Sequence, residues 1–132
     1  MRLLFAVLLV SMLGGCAPAH SEPAFIEANI IKALAGEAGG QGMDEIIAHA
    51  HAIRNRKRLE GVYGFKASVD QKTLSRARNA WNRAKTMPSS VGLCDHWLSD
   101  YDLAHSRPAL IAWRHKAVYS VKVGSTTFYK LK

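Results

Sequence analysis

The sequence predicts an α+β fold, with helices first and a β-hairpin last, and three observations predict it. Apolar residues recur at helical spacing in three stretches between residues 23 and 87. Near the end, Val118 to Val123 and Thr126 to Leu131 read as strands on either side of Gly124-Ser125. The length suits one small domain, and helices followed by strands, rather than alternating with them, are the α+β pattern.

The first helix is expected from about Pro23 to Ala35. Ser21 or Glu22 would cap it, Pro23 suits its first turn, and Ile26, Ile30, Ala33 and Leu34 form one apolar stripe. Gly36 is expected to loosen the chain just before Glu37, and Gly39, Gly40 and Gly42 to form a flexible connection. A second helix is expected over Met43 to Arg58. Asp44 and Glu45 lie in its first turn and Arg54, Arg56, Lys57 and Arg58 near its end, as the macrodipole prefers. Ile46, Ile47, Ala50 and Ile53 supply its buried face. Leu59 to Val69, with two glycines, reads as a loop. A third helix, about Asp70 to Met87, carries Leu74, Ala77, Trp81 and Ala84 at helical spacing, which puts Trp81 in the core, and Pro88 to Gly92 stops it.

The N-terminus reads as an export signal. Arg2 is the only charged residue before Cys16, and the apolar run Leu3 to Val10 falls well short of the roughly 20 residues of a spanning helix. Leu13-Gly14-Gly15-Cys16 resembles the bacterial lipobox, whose cysteine is lipidated and becomes the first mature residue. An ordinary signal peptide cut near Ala17 or Ala19 is the alternative. The expected organisation is a lipoprotein signal over 1–15, a lipidated tether over 16–24 and one domain over 25–132. Such a chain would be anchored in the bacterial envelope through Cys16, in the outer membrane of a Gram-negative host, since Ala17 rather than an acid follows the cysteine. The eight residues 17–24 reach at most about 28 Å, which keeps the domain near its membrane.

The 132-residue chain carries a formal charge of +8, and loss of Arg2 with the signal leaves +7. An excess of this size favours an anionic partner. For an exported protein nucleic acid is not expected, whereas peptidoglycan carboxylates and phospholipid headgroups are. With Cys16 lipidated, Cys94 is the single remaining thiol and is expected to be buried in a monomer.

Six histidines invite a metal reading, which their spacing does not support. His49 and His51, two apart on a helix, do not face the same way, so one is expected packed and the other exposed. His96, His105 and His115 lack acidic or cysteine neighbours at ligand spacing. No metal or organic cofactor is expected.

Glu37 is the candidate for chemistry. It is expected just beyond a helix end, among Gly36, Ala38, Gly39 and Gly40, where small neighbours would let a large substrate approach. The negative end of the helix dipole and partial burial both disfavour the carboxylate, as a general acid requires.

Ala35-Gly36-Glu37-Ala38-Gly39-Gly40-Gln41-Gly42, followed by Ile47-Ala48-His49-Ala50-His51-Ala52-Ile53-Arg54-Asn55-Arg56, resembles the SleB-like cell wall hydrolases. The likeness continues through Gly61-Val62-Tyr63-Gly64 and Val123-Gly124-Ser125-Thr126-Thr127-Phe128-Tyr129-Lys130, covering about residues 28 to 130 in order. It implies a small lysozyme-like domain that cuts peptidoglycan, with Glu37 at the position of the family's catalytic acid. Gly39 stands where the family has arginine, Gln41 where it has a second acid, and Thr126 where it has histidine. His96 and Trp97 fall where phage-type relatives place a His-aromatic pair, so Trp97 would stack on a sugar and His96 would hydrogen-bond one, with packing in the core as the equal alternative. Gln41 and Tyr129 complete the expected substrate-binding set, Tyr129 being chosen over Phe128 because the two alternate across a strand. Asn55 and Arg56 are expected to cap carbonyls or brace the Glu37 loop.

With one acid placed, a lytic transglycosylase acting between N-acetylmuramic acid and N-acetylglucosamine is expected. The alternatives are a non-catalytic peptidoglycan-binding envelope lipoprotein and an N-acetylmuramoyl-L-alanine amidase.

Overall fold

The computed structural model describes residues 22–132. The signal segment, Cys16 and most of the tether lie outside the described residues. The elements in order are α1 (Glu27–Ala38), α2 (Met43–Arg56), a 3-10 turn (Tyr63–Lys66), α3 (Gln71–Ala84), β1 (His96–Ser99), α4 (Asp100–His105), α5 (Pro108–Ile111), a second 3-10 turn (Ala112–Lys116), β2 (Ala117–Val123) and β3 (Thr126–Leu131). The fold is α+β.

The predicted apolar stripes meet one another. Ile30 and Leu34 of α1, Ile46 and Ile53 of α2, and Ala77 and Trp81 of α3 share one core. Helix α3 starts at Gln71 because the Asp70 carboxylate accepts the Thr73 N–H at 2.7 Å. Helix α2 ends two residues before the predicted Arg58, where Lys57 turns left-handed at φ 59°.

Helix α1 departs from expectation at both ends. It begins at Glu27, with Ile26 as a cap residue that makes no side-chain bond, so Pro23 and Glu22 precede it. It then runs through Gly36 and Glu37 to Ala38 instead of stopping at Ala35. Gly36 does not loosen the chain; its missing side chain lets the first 3-10 turn pack against the helix. A Cβ on Gly36 would collide with the Gly64 carbonyl, and one on Gly64 would collide with the Glu37 backbone nitrogen.

The three strands form an antiparallel sheet in the order β1-β3-β2. The hairpin turns through Gly124, at φ 59°, and Ser125, with Val123 opposite Thr126. On its other edge β3 takes up β1, with His96 opposite Tyr129 and Trp97 opposite Phe128. Buried Glu45 ties α2 to this hairpin, accepting the hydroxyls of Thr126 at 2.6 Å and Ser125 at 2.9 Å. Burial alone would raise its carboxyl, but these bonds outweigh it and hold the group below its usual value.

His49 and His51 are both buried, which corrects the expectation of one exposed ring. His49 donates Nδ1–H to the Glu45 carbonyl at 2.8 Å and packs its ring edgewise on Trp97 and Phe128. His51 meets the N–H of Ser90 through Nδ1 at 3.1 Å. Burial lowers both imidazoles. The Cys94 thiol is buried and free, raised by that burial and by neighbouring Asp95.

Candidate active-site cleft

Glu37 projects from the last turn of α1 and is held at both oxygens. The Gly64 N–H donates to Oε2 at 2.9 Å, and the Trp97 indole N–H donates to Oε1 at 2.7 Å. A carboxylate has about four acceptor positions, so two stay available. The expected small-residue approach is therefore filled on one side. Gly36 and Gly64 bring backbone against backbone and thereby fix the acid.

The open side of Glu37 is a cleft of about 370 Å³ whose lining includes Arg56, Tyr63, His96, Trp97, Asp102 and Trp113. It follows β1, one of the two edge strands of the sheet, and alternation along a strand sends neighbouring side chains to opposite faces. Trp97 turns toward α2 and Glu37, where it packs with Phe128. His96 and Leu98 turn to the other face. There His96 packs on Trp113, with ring centroids 5.2 Å apart, and Leu98 joins Ile111 and Tyr129.

The end of α2 braces the cleft, as expected of Asn55 and Arg56. Asn55 donates to the carbonyls of Gly92 and Cys94, both at 2.9 Å. Arg56 donates to the carbonyls of Asp95, at 3.2 Å, and Glu60, and its guanidinium lies 5.9 Å from the Trp97 ring. Against the other side of β1, the Asp95 carboxylate accepts the His96 Nδ1–H at 2.9 Å and lies 3.8 Å from the Lys130 ammonium. Asp102 lines the cleft while accepting the N–H and hydroxyl of Ser99 in a capping box.

In comparison with known proteins, the chain matches no family model, no curated protein and no solved structure.

Of the expected site residues, the cleft brings together Glu37, His96 and Trp97. Gln41 lies exposed beyond α1, its carbonyl taken by Arg76 at 2.8 Å, and its side chain does not line the cleft. Tyr129 also lines none of it; its ring is buried edgewise behind Trp113, with centroids 5.4 Å apart. Phe128, on the opposite face, is fully buried, so neither residue of that pair meets a ligand directly. Asp102 and Trp113 are lining residues that the sequence reading missed. The signal for Asp102 was the Ser99-to-Asp102 spacing of a capping box, which marks a helix start. No three His, Cys, Asp or Glu side chains gather at ligand distances among the described residues. A second groove of about 600 Å³, with Lys32, Lys66 and Arg78 on its rim, lies away from Glu37 between α1 and α3.

Proposed function

We propose that this protein cleaves the glycan strand of peptidoglycan between N-acetylmuramic acid and N-acetylglucosamine, as a lytic transglycosylase of the SleB-like type. The observation that carries the reading is Glu37, fixed by two donors and open to a cleft with Trp97, Trp113 and Tyr63 in its walls. Flat aromatic surfaces suit sugar rings, and a held carboxyl suits proton transfer to a glycosidic oxygen. In the simplest cycle Glu37 protonates the leaving oxygen. As the carboxylate it then takes the proton of the muramic acid 6-hydroxyl, which closes a 1,6-anhydro ring.

The basic surface favours the anionic wall polymer, and a lipid on Cys16 would keep the monomeric domain close to its membrane. Replacement of the resemblance family's closing histidine fits a structural use here, because Thr126 is buried and clamps Glu45.

The test is digestion of purified sacculi with mass spectrometry of the products. Soluble muropeptides with 1,6-anhydromuramic ends are expected. Reducing ends would make water the nucleophile. Free peptides with intact glycan would mean an amidase, and binding without any product would mean an envelope-binding lipoprotein.

A further inference from the structure

We infer that His96, held by Asp95, is the second proton-transferring group of the cleft and takes the proton of the oxygen that attacks the anomeric carbon. The inference rests on the glycan-cleavage reading and revises only its second proton transfer.

The geometry begins with Asp95. A carboxylate only accepts, so the 2.9 Å bond to Asp95 Oδ1 requires the proton on Nδ1 of His96. The neutral ring then carries its lone pair on Nε2, which makes no hydrogen bond within the described residues. Asp95 itself is fixed from several sides. Its N–H donates to the Tyr129 carbonyl at 3.1 Å, its carbonyl accepts from Arg56, and its second oxygen faces Lys130. Trp113 packs against the imidazole from the 3-10 turn before β2. A base oriented by a carboxylate, in a residue that lines a cleft, is the arrangement that activates a hydroxyl or water.

Strand alternation supplies the second argument. Trp97 holds Glu37 on one face of β1, and His96 lies on the other, yet both Glu37 and His96 line the same cleft. Cleavage needs one proton delivered to the leaving oxygen and one removed from the attacking oxygen, and two groups that line one cleft can divide these transfers.

The step balances with these residues alone. Glu37 gives its proton to the glycosidic oxygen, which keeps the electron pair of the breaking carbon–oxygen bond. The 6-hydroxyl oxygen, or a water oxygen, forms the new bond to the anomeric carbon, and its proton passes to His96 Nε2. Exchange with solvent restores both groups. The charged groups around His96 are Asp95 and Lys130 behind it, Arg56 at the Asp95 carbonyl, and Glu37 and Asp102 in the cleft.

The test uses the mature protein on sacculi, with His96→Gln, His96→Ala and Asp95→Ala variants checked for native circular dichroism. His96→Gln should lower kcat by about 10²–10⁴-fold, the usual contribution of a general base, with binding to sacculi retained. The fall in wild-type turnover toward acid pH should disappear from that variant, and added imidazole should restore part of the rate of His96→Ala. Independently of turnover, nitrogen-15 spectra should show neutral His96 as the Nδ1–H tautomer in wild type and as Nε2–H in Asp95→Ala. Undiminished turnover in His96→Gln, or an Nε2–H tautomer in wild type, would overturn the assignment and leave glycan cleavage by Glu37 standing. Absence of turnover in wild type would overturn the glycan reading, and this step with it.

Discussion

The two faces of the small sheet are built in contrasting ways. One face presents Trp97, Val121, Val123 and Phe128 to Ala48 and Ala52 of α2, a helix of 14 residues, and to Val91 and Cys94 of the segment before β1. Phe128 is wholly excluded from solvent there. The other face presents Leu98, Tyr129 and Leu131 to Leu103, Ile111 and Trp113, which come from segments of four to six residues. The first face carries Trp97, the donor that fixes Glu37. The second carries His96 and opens on the cleft. The acid is thus anchored to the continuous core, whereas the facing wall depends on a few side-chain contacts and one capping box.

Truncation on each face should measure that contrast. Phe128→Ala is expected to cost about 3–5 kcal/mol in denaturant unfolding, as for a large buried aromatic with a resulting cavity. Leu131→Ala, on the half-buried margin of the other face, should cost less than about 2 kcal/mol. Equal costs would erase the distinction between the faces.

A subtler change sharpens the account of the acid's wall. Glycine within a helix normally costs about 0.5–1 kcal/mol relative to alanine, so helix propensity alone predicts that Gly36→Ala stabilises. The contact with the Gly64 carbonyl predicts the reverse, a loss of about 1–3 kcal/mol from overpacking. A raised Tm in the variant would show that the 3-10 turn yields freely and does not hold Glu37.

The smallest effect concerns pH. Burial lowers the His49 imidazole, opposed in part by its bond to the Glu45 carbonyl and by the nearby carboxylates of Glu37 and Glu45. The folded ring is therefore neutral at pH values where the unfolded ring, near its ordinary 6.5, takes up a proton. More protons on the unfolded chain means that stability is full above that value and declines as the pH falls below it. His51 is shifted the same way, so His49→Phe should reduce the slope of Tm against pH without abolishing it. An unchanged slope would assign the dependence to other groups.

How much of this was legible follows the range of the interactions. The stripes of α1, α2 and α3 and the hairpin around Gly124-Ser125 were readable, because helical periodicity and turn chemistry are local. β1 was not. Four residues, His96 to Ser99, carry no periodic signal, and they become a strand only by pairing with β3 some thirty positions later. The reach of α1 through Gly36 was equally hidden, since its cause is Gly64 in another segment. For the same reason the sequence could single out Glu37, His96 and Trp97 but could not reveal the indole bond to Glu37, the Asp95 partner of His96, or the withdrawal of Gln41 and Tyr129 from the cleft.

The central claim is that Glu37 moves the proton that breaks the glycan, and Glu37→Gln tests it most directly. The substitution keeps the size of the side chain and its acceptor oxygen for the Trp97 or Gly64 N–H but removes the acid. Turnover of purified sacculi should fall by at least about 10²–10⁴-fold, with binding to sacculi retained and Tm lowered only by the one hydrogen bond that the amide NH2 cannot accept. Wild-type release of muropeptides by the variant would contradict the account.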